Sequence, residues 1–210
     1  EPALRTLLER ARALGFTGVL IGNLGHLPLV RGLNFHLYGD YGLNVFNSRS
    51  LAYLKDKELE SACVSFELRF AQIRDLKKVL RAEAIVYGRL PLMITENCLV
   101  QNETGCRLDR QGPCVPEDGP CRCGQPNVLV DRTGAAFPLL PAYGHRTEIQ
   151  NSKPLYLADR PEHRRLGLAY ARLRFTTETA EECVSVVQNY LDAAPAAGDF
   201  TRGLYERGVE

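Results

Sequence analysis

Residues 60–88 read ESACVSFELRFAQIRDLKKVLRAEAIVYG, and this stretch decides the fold class. The short apolar run at 62–65 predicts a buried strand, and residues 69–80 carry apolar side chains at helical spacing. A second apolar run at 84–87 ends at Gly88 and predicts another strand. Strand, helix and strand in this order are typical of a βα unit in a parallel sheet. The stretch therefore predicts an α/β fold.

The same rhythm extends toward the start of the chain. Residues 1–15 have helical spacing and stop at Gly15, 17–21 (TGVLI) predict a buried strand, and 33–38 predict a second strand. Asn47 or Ser48 is placed to cap a helix that runs to about Lys55. About four βα units are visible, whereas a closed (β/α)8 barrel needs eight strands. The sequence thus predicts either an open sheet or half of a barrel.

The pattern changes after Met93. Residues 96–127 are rich in Cys, Gly and Pro and lack periodicity, which is unusual for so long a stretch unless something cross-links it. Residues 128–130 and 136–140 predict two strands joined by a turn at 131–134. Another strand or a helix start is expected at 154–158.

The last part of the chain predicts a helix and a loose end. Residues 179–191 have helical spacing, and the tail after Ala193 is expected to fray. The face of the helix predicted to be apolar carries Ala180, Cys183, Val184, Val187 and Tyr190.

Five of the seven cysteines crowd into the aperiodic stretch. Their spacing is Cys98-x7-Cys106-x7-Cys114-x6-Cys121-x-Cys123. Clustered thiols in a reducing compartment favour a metal site over disulfides. Zinc ribbons usually present cysteine pairs two to four residues apart, so the spacing slightly favours a [4Fe–4S] cluster over zinc. Free surface thiols remain the alternative.

The five cysteines exceed the four ligands that either centre needs. Cys98, Cys106 and Cys123 rank first as ligands, followed by Cys121. Cys114 ranks last because it lies in the Gly- and Pro-rich segment GPCVPEDGP.

Composition excludes some classes of function. The chain has 210 residues, 45% of them hydrophobic, and a formal net charge of +1, which does not favour tight binding to nucleic acid. We expect no membrane association, because no apolar run reaches the length of a membrane span. The start of the chain is amphipathic and is not a signal peptide, so the cytoplasm is the expected location.

Polar residues follow the predicted strands, where the sites of α/β proteins gather. Asp40, Asn44, Glu67 and Arg89 are the candidate catalytic residues, offering carboxylates, an amide and a guanidinium. Helix capping by Asp40 and a surface ion pair for Glu67 are the structural alternatives. HExxH and GxSxG motifs are absent from the sequence, so proteolysis has no motif to support it.

Several segments resemble one family in order and spacing. They are HLYGDYGLNVFNS (36–48), SFEL (65–68), YGRLPLMITENC (87–98) and LVDRTGAAFPLLPAYGHRTEIQNSKPLYL (129–157). Together they are similar to the collagenase-like peptidases of family U32, whose catalytic type is unknown. The resemblance covers roughly residues 15–190.

The resemblance implies a fold and a division of the chain. The fold would be the second half of a TIM-like (β/α) barrel followed by a smaller, Cys-rich mixed α/β region. Residues 1–95 would form the half barrel, 96–158 the metal-binding and hairpin region, and 159–210 a helical segment. The implied partner is the missing N-terminal half of the barrel.

The resemblance also implies a chemistry. Some family members carry a [4Fe–4S] cluster and act in oxygen-independent hydroxylation of RNA bases or of a quinone precursor, while others are collagenase-like proteases. We favour hydroxylation of RNA or a small ring compound over proteolysis.

Ligands can be transferred from the family only in part. Cys98 and Cys106 match the first two family cysteines, and Cys123 or Cys121 matches the third. The fourth position is His145 here, so His145, Cys121 or Cys114 would complete the site, or the metal would be zinc.

Overall fold

The computed structural model describes residues 2–104 and 125–207. The chain divides into two compact units, and it returns to each of them after leaving. Unit one takes in the chain up to Val86, then Leu157–Leu173, and the chain from Arg202 onward, whereas unit two takes in Tyr87–Tyr156 and Arg174–Thr201. The predicted division into 1–95, 96–158 and 159–210 assigns one continuous stretch of chain to each domain, so in it the chain never returns to a domain that it has left.

The elements alternate between helix and strand in the first part of the chain. The helices are α1 (Pro2–Ala13), α2 (Leu27–Val30), α3 (Ser48–Asp56), α4 (Phe70–Asp75), α5 (Leu99–Thr104) and α6 (Ala180–Asp192). The strands are β1 (Gly18–Ile21), β2 (His36–Gly39), β3 (Leu59–Cys63), β4 (Arg81–Gly88), β5 (Pro91–Thr95), β6 (Asn127–Val130), β7 (Ala136–Ala142), β8 (Arg146–Gln150), β9 (Leu155–Tyr156) and β10 (Tyr170–Arg174). Among the described helices, none has the length and apolar character needed to cross a bilayer.

Unit one is built on a curled parallel sheet. Its strand order is β1-β2-β3-β4-β10, and β1 to β4 run parallel to one another. Small and β-branched side chains alternate along the strands and are buried on one face, among them Ile21, Ala62, Val64 and Ala84. The predicted α/β class and parallel sheet are confirmed. Such a sheet is compatible with part of a β/α barrel.

Local capping explains α3. The side-chain oxygen of Asn47 accepts hydrogen bonds from the backbone N–H groups of Arg49 and Ser50, both at 3.0 Å. These bonds satisfy two donors that the first turn of a helix leaves open. Leu51 and Leu54 face the core and are buried. The predicted cap and helix are confirmed.

The helix predicted at 69–80 is wrong in its extent. α4 ends at Asp75, because Leu76 adopts an extended backbone. The ammonium of Lys78 folds back and donates to the carbonyl of Ile73 at 2.7 Å, and the N–H of Lys77 donates to Ser48 Oγ at 2.8 Å. One local and one tertiary hydrogen bond therefore replace the last predicted helical turn.

The observed boundaries of three strands also differ from the predicted ones. The strand predicted at 33–38 begins only at His36, the one predicted at 62–65 lies at Leu59–Cys63, and the one predicted at 84–87 extends over Arg81–Gly88. Each observed strand begins and ends where the neighbouring strand stops offering hydrogen-bond partners. The apolar runs in the sequence do not contain this information.

Unit two contains an antiparallel sheet in the order β5-β8-β7-β6. The predicted hairpin is confirmed as β6 and β7. At its turn, Asp131 Oδ1 accepts hydrogen bonds from the N–H groups of Thr133 and Ala135, and Gly134 supplies a positive φ of 84°. α5 packs on this sheet through a small core of Val100, Leu139 and Ile149.

Aromatic side chains hold the rest of unit two together. Tyr87 contacts Tyr156, Phe175 and Tyr190 through tilted and edge-on ring pairs, and Tyr156 also contacts Phe200. Strand β9, within the region predicted as a strand or helix start, pairs with the last two residues of β4.

α6 is confirmed as a helix, but its predicted face is wrong in part. The packed stripe is Cys183, Val186 and Tyr190, whereas Val184 is 71% exposed. Thr179 and Glu182 form a reciprocal capping box at its start.

The described part of the tail, up to residue 207, packs against the folded chain, contrary to the prediction that it frays. The side chain of Tyr205 is only 1% exposed and stacks on Phe70 with the ring centroids 5.3 Å apart. Its hydroxyl donates to the carbonyl of Ile85, and its own carbonyl accepts from the N–H of Phe70 at 2.9 Å. The Gly- and Ala-rich composition gave no indication that aromatic residues of the tail, Tyr205 among them, pack on the folded chain.

Candidate functional site

Asp40 directly follows β2, at the carboxyl end of the parallel sheet. Its Oδ1 accepts the N–H of Tyr41 at 2.8 Å and so caps the short 3-10 turn Tyr41–Leu43. The guanidinium of Arg172, on β10, donates from Nη1 to the same oxygen. Asp40 therefore has the expected capping role and also an ion pair.

Arg172 joins two carboxylates. Its Nε lies against Glu83 Oε1 while its Nη1 binds Asp40. The three side chains are 17–22% exposed, so solvent still reaches each of them. Burial raises the pKa of Glu83, and the charge of Arg172 partly opposes that rise. We call Asp40, Arg172 and Glu83 the ion cluster.

Cys63 lies beneath the ion cluster, in register with Glu83 across β3 and β4. Its side chain is completely buried, and the thiol lies 3.5 Å from the carbonyl of Val64 as a weak donor. Burial raises the pKa of the thiol to about 12. A thiol held neutral in this way is a poor nucleophile.

For two other predicted catalytic residues, Asn44 and Glu67, the structure shows local backbone roles near the same sheet edge. Asn44 ends the turn after Asp40 in a left-handed conformation, with φ 48°. The N–H of Glu67 donates to Ser65 Oγ at 3.4 Å. Within the described residues, no ion pair involves the Glu67 carboxylate.

Arg89 belongs to unit two and binds loop carbonyls there. Its Nη1 donates to the carbonyl of Asn151 at 3.0 Å and also to that of Ser152, and Nε donates to Thr177 Oγ1 at 3.3 Å. Such contacts fix two loops to the end of β4, a structural role for this guanidinium.

Cys98, the first predicted metal ligand, stands just before α5. Its thiol is free and half-buried beside the Val100–Leu139–Ile149 core. The N–H of Gln101 donates to Cys98 Sγ at 3.4 Å. Amide donors to sulfur are the usual surroundings of a metal-bound thiolate, because they stabilise its negative charge.

His145 occupies the turn between β7 and β8, with φ 60°. Thr95 pairs with Thr147, and Arg146 binds Glu96 at 2.9 Å, so β5 ends where β8 begins. Cys98 and His145 thus leave the same end of this sheet. The remaining predicted ligands, Cys106, Cys114, Cys121 and Cys123, lie outside the described residues.

Within 2–104 and 125–207, no three His, Cys, Asp or Glu side chains meet in a group able to hold a metal ion. Ligation through Cys98 would therefore need cysteines from residues 105–124.

A model of peptidase family U32 matches residues 2–129, which is more than half of the chain. The chain belongs to peptidase family U32. Neither a curated protein nor a solved structure gives a significant match.

Sequence reasoning on this U32 chain missed Glu83 and Arg172. A signal existed in both cases. Glu83 is a lone carboxylate between alanines in the apolar run RAEAIV, and Arg172 alternates with Tyr170 and Arg174 in YARLR. Alternation puts such residues on one face of a strand, but it does not say that two strands distant in sequence are neighbours.

The buried thiol of this U32 chain leads to a first prediction. We expect iodoacetamide to leave Cys63 unmodified in the native protein at pH 8, because the thiol is both inaccessible and neutral. Cys98 and Cys183, which are half-buried, should react much faster. Peptide mass spectrometry after timed alkylation measures this, with a urea-unfolded sample as the control. Equal native labelling of Cys63 and Cys183 would contradict the burial.

Proposed function

We propose that this U32 chain belongs to an enzyme that uses a [4Fe–4S] cluster for oxygen-independent hydroxylation of an RNA base or a related ring compound. The ligands would be Cys98, Cys106, Cys121 and Cys123, with Cys114 or His145 as alternates and zinc as the alternative metal. The observation that carries the proposal is the environment of Cys98.

The thiol of Cys98 fits such a group in three ways. It is free, it is half-buried against an apolar core that keeps water from one side, and it already accepts an amide N–H. When bound, a cluster supplies a centre for electron transfer or substrate activation. Cys98 would hold one metal atom, and the Gln101 N–H would stabilise the thiolate charge.

Both ends of the segment with the other cysteines join unit two near Cys98. The segment follows α5, which begins right after Cys98. It returns at β6, whose first residue pairs with Leu139 on β7. Since β6 and β7 are antiparallel, β6 starts toward the end of β7 that carries His145. This placement supports ligation of one centre from both sides of the segment.

Proteolysis is the alternative that the family description suggests. Among the described cysteines, Cys63 cannot act as its nucleophile without leaving the core, because the thiol is buried and its pKa is raised to about 12. The observations on Cys98 therefore favour the metal-dependent function.

The second prediction tests the cluster. We expect Cys98→Ala, purified without oxygen and reconstituted with iron and sulfide, to lose the stoichiometric iron and sulfide of the wild-type protein. Cys183→Ala is the matched control, since Cys183 is also half-buried but sits on α6. It should keep the wild-type content, as measured by iron, sulfide and zinc analysis with EPR of the reduced protein.

Three outcomes decide against the proposal. Unchanged iron in Cys98→Ala removes Cys98 from the site, and stoichiometric zinc without sulfide in the wild type replaces the cluster. Hydrolysis of gelatin by metal-free wild-type protein would favour a peptidase. Circular dichroism of each variant establishes that lost metal does not reflect unfolding.

A further inference from the structure

The ion cluster lies on one face of the parallel sheet of unit one. Cys63 and Glu83 are partners in register, and Gly39 pairs with Ala62 one step earlier, so Asp40 shares the face of Cys63 and Glu83. Arg172 reaches the same face from β10, which neighbours β4. The opposite face is apolar and buried at Ala62 and Ala84.

Solvent reaches part of the face that bears the ion cluster, whereas Cys63 on the same face is completely buried. Leu20, one strand away on β1, is 49% exposed, and Tyr170 on β10 is exposed as well. Asp40 directly follows β2, at the carboxyl end of a parallel strand, where α/β proteins bind their ligands, and Arg172 connects it to Glu83 within β4.

Two groups of the cluster keep hydrogen-bonding capacity. Asp40 uses Oδ1 for both of its bonds, and Oδ2 has no hydrogen-bond partner within the described residues. Arg172 uses Nε and Nη1, and Nη2 likewise has no partner in the described part of the chain. Because Nη1 and Oδ1 are hydrogen-bonded, this acceptor and this donor belong to two side chains in direct contact.

We propose that Asp40 and Arg172 form a binding site for a cis amide, meaning a ring or primary amide whose N–H and C=O lie on one edge. The ligand N–H would donate to Asp40 Oδ2, and its carbonyl would accept from Arg172 Nη2. Glu83 acts as a positioning residue, because its contact with Nε orients the guanidinium.

Charge and geometry select this ligand class. Two carboxylates and one guanidinium carry a net charge of −1, so the site disfavours anions and accepts a neutral carbonyl. An ordinary trans peptide points its N–H and C=O to opposite sides and cannot satisfy both groups. Lactams and the cyclic imides of pyrimidines present both on one edge.

In the proposed enzyme, this site would bind the ring substrate that is hydroxylated. Only that substrate role rests on the proposed function, because binding of a cis amide requires no cluster. Cys98→Ala should therefore still bind the probes, and Asp40→Asn should still bind iron, so each proposal can fail without the other.

The third prediction is tested first on the wild-type chain by NMR titration. The probes are uracil and δ-valerolactam, each compared with its fully N-methylated derivative. We expect methylation to weaken binding at least about tenfold, because a hydrogen bond to a carboxylate is lost. Binding of uracil alone indicates a nucleobase as the source of the amide, and binding of both probes indicates a general lactam site. Equal affinity for methylated and unmethylated probes overturns the proposal.

Variants of the full chain then assign the binding to residues. Asp40→Asn places a donor where Oδ2 accepted, and Arg172→Lys removes the planar donor edge, so both should weaken uracil binding at least about tenfold. Glu60→Gln is the matched control, since Glu60 pairs with Arg81 at 2.7 Å elsewhere in this sheet. It should bind as the wild type does. Unchanged affinity in folded Asp40→Asn, or equal loss in Glu60→Gln, overturns the assignment.

Discussion

Replacing Tyr205 by alanine is expected to lower the free energy of unfolding of unit one by about 3–5 kcal/mol. The ring is almost wholly buried against Phe70, and its hydroxyl donates to the carbonyl of Ile85 on β4. Removing it leaves a cavity the size of an aromatic ring and one buried carbonyl without its donor. Urea denaturation followed by far-UV circular dichroism measures the loss.

Two controls separate the ring from its hydroxyl. Tyr205→Phe keeps the stacking and should cost only about 1 kcal/mol, the usual net value of one hydrogen bond. Tyr143→Ala removes a tyrosine that is 96% exposed and should change stability by less than about 0.5 kcal/mol. If Tyr205→Ala is no more destabilising than Tyr143→Ala, the end of the chain is not part of the core.

Replacing Arg174 by methionine is expected to destabilise unit two by about 3–5 kcal/mol. The guanidinium donates to Glu148 at 2.8 Å, to Gln150 Oε1 at 2.6 Å and to the carbonyl of Arg89 at 2.6 Å. Arg174 and Glu148 are each only about 15% exposed, so the variant leaves a carboxylate charge in a poorly solvated place. Urea denaturation again provides the measurement.

A double replacement tests the reason for that loss. The double variant Arg174→Met with Glu148→Met also removes the unpaired carboxylate. Its free energy of unfolding should therefore recover part of what Arg174→Met alone lost. Arg146→Met is the control, because Arg146 pairs with the exposed Glu96 and should cost less than about 1 kcal/mol. A double variant as unstable as the sum of both single variants would contradict a penalty from an unpaired charge.

Features that depend on neighbours in sequence could be predicted from the residues. The Asn47 cap and the turn at Asp131 rest on side-chain bonds that span two to four positions. The α/β class follows from the alternation of apolar runs with helical spacing, which each segment carries by itself. The same local signals overestimated α4, because Lys78 and Ser48 offered the backbone other hydrogen bonds.

The candidate sites divide in the same way. Asp40 and Cys98 were identified from their positions after a strand and within a cysteine run, which are local features. Arg89 occupies the predicted strand end but binds the carbonyls of Asn151 and Ser152, some sixty residues away. Its residue type and position made Arg89 a candidate catalytic residue, whereas its partners in the structure are the backbone carbonyls of surrounding loops.

The amino-acid sequence alone determined the fold class, the family and the cysteine run, since each is a pattern of composition and spacing along the chain. Only the tertiary structure decided that Arg172 meets Asp40 across 132 positions and that Tyr205 reaches Ile85 across 120. Such pairs carry no local signal, because each residue is compatible with many surroundings until the sheet brings its strands together. The energy of these contacts arises from burial and charge pairing, which exist only once the chain has folded.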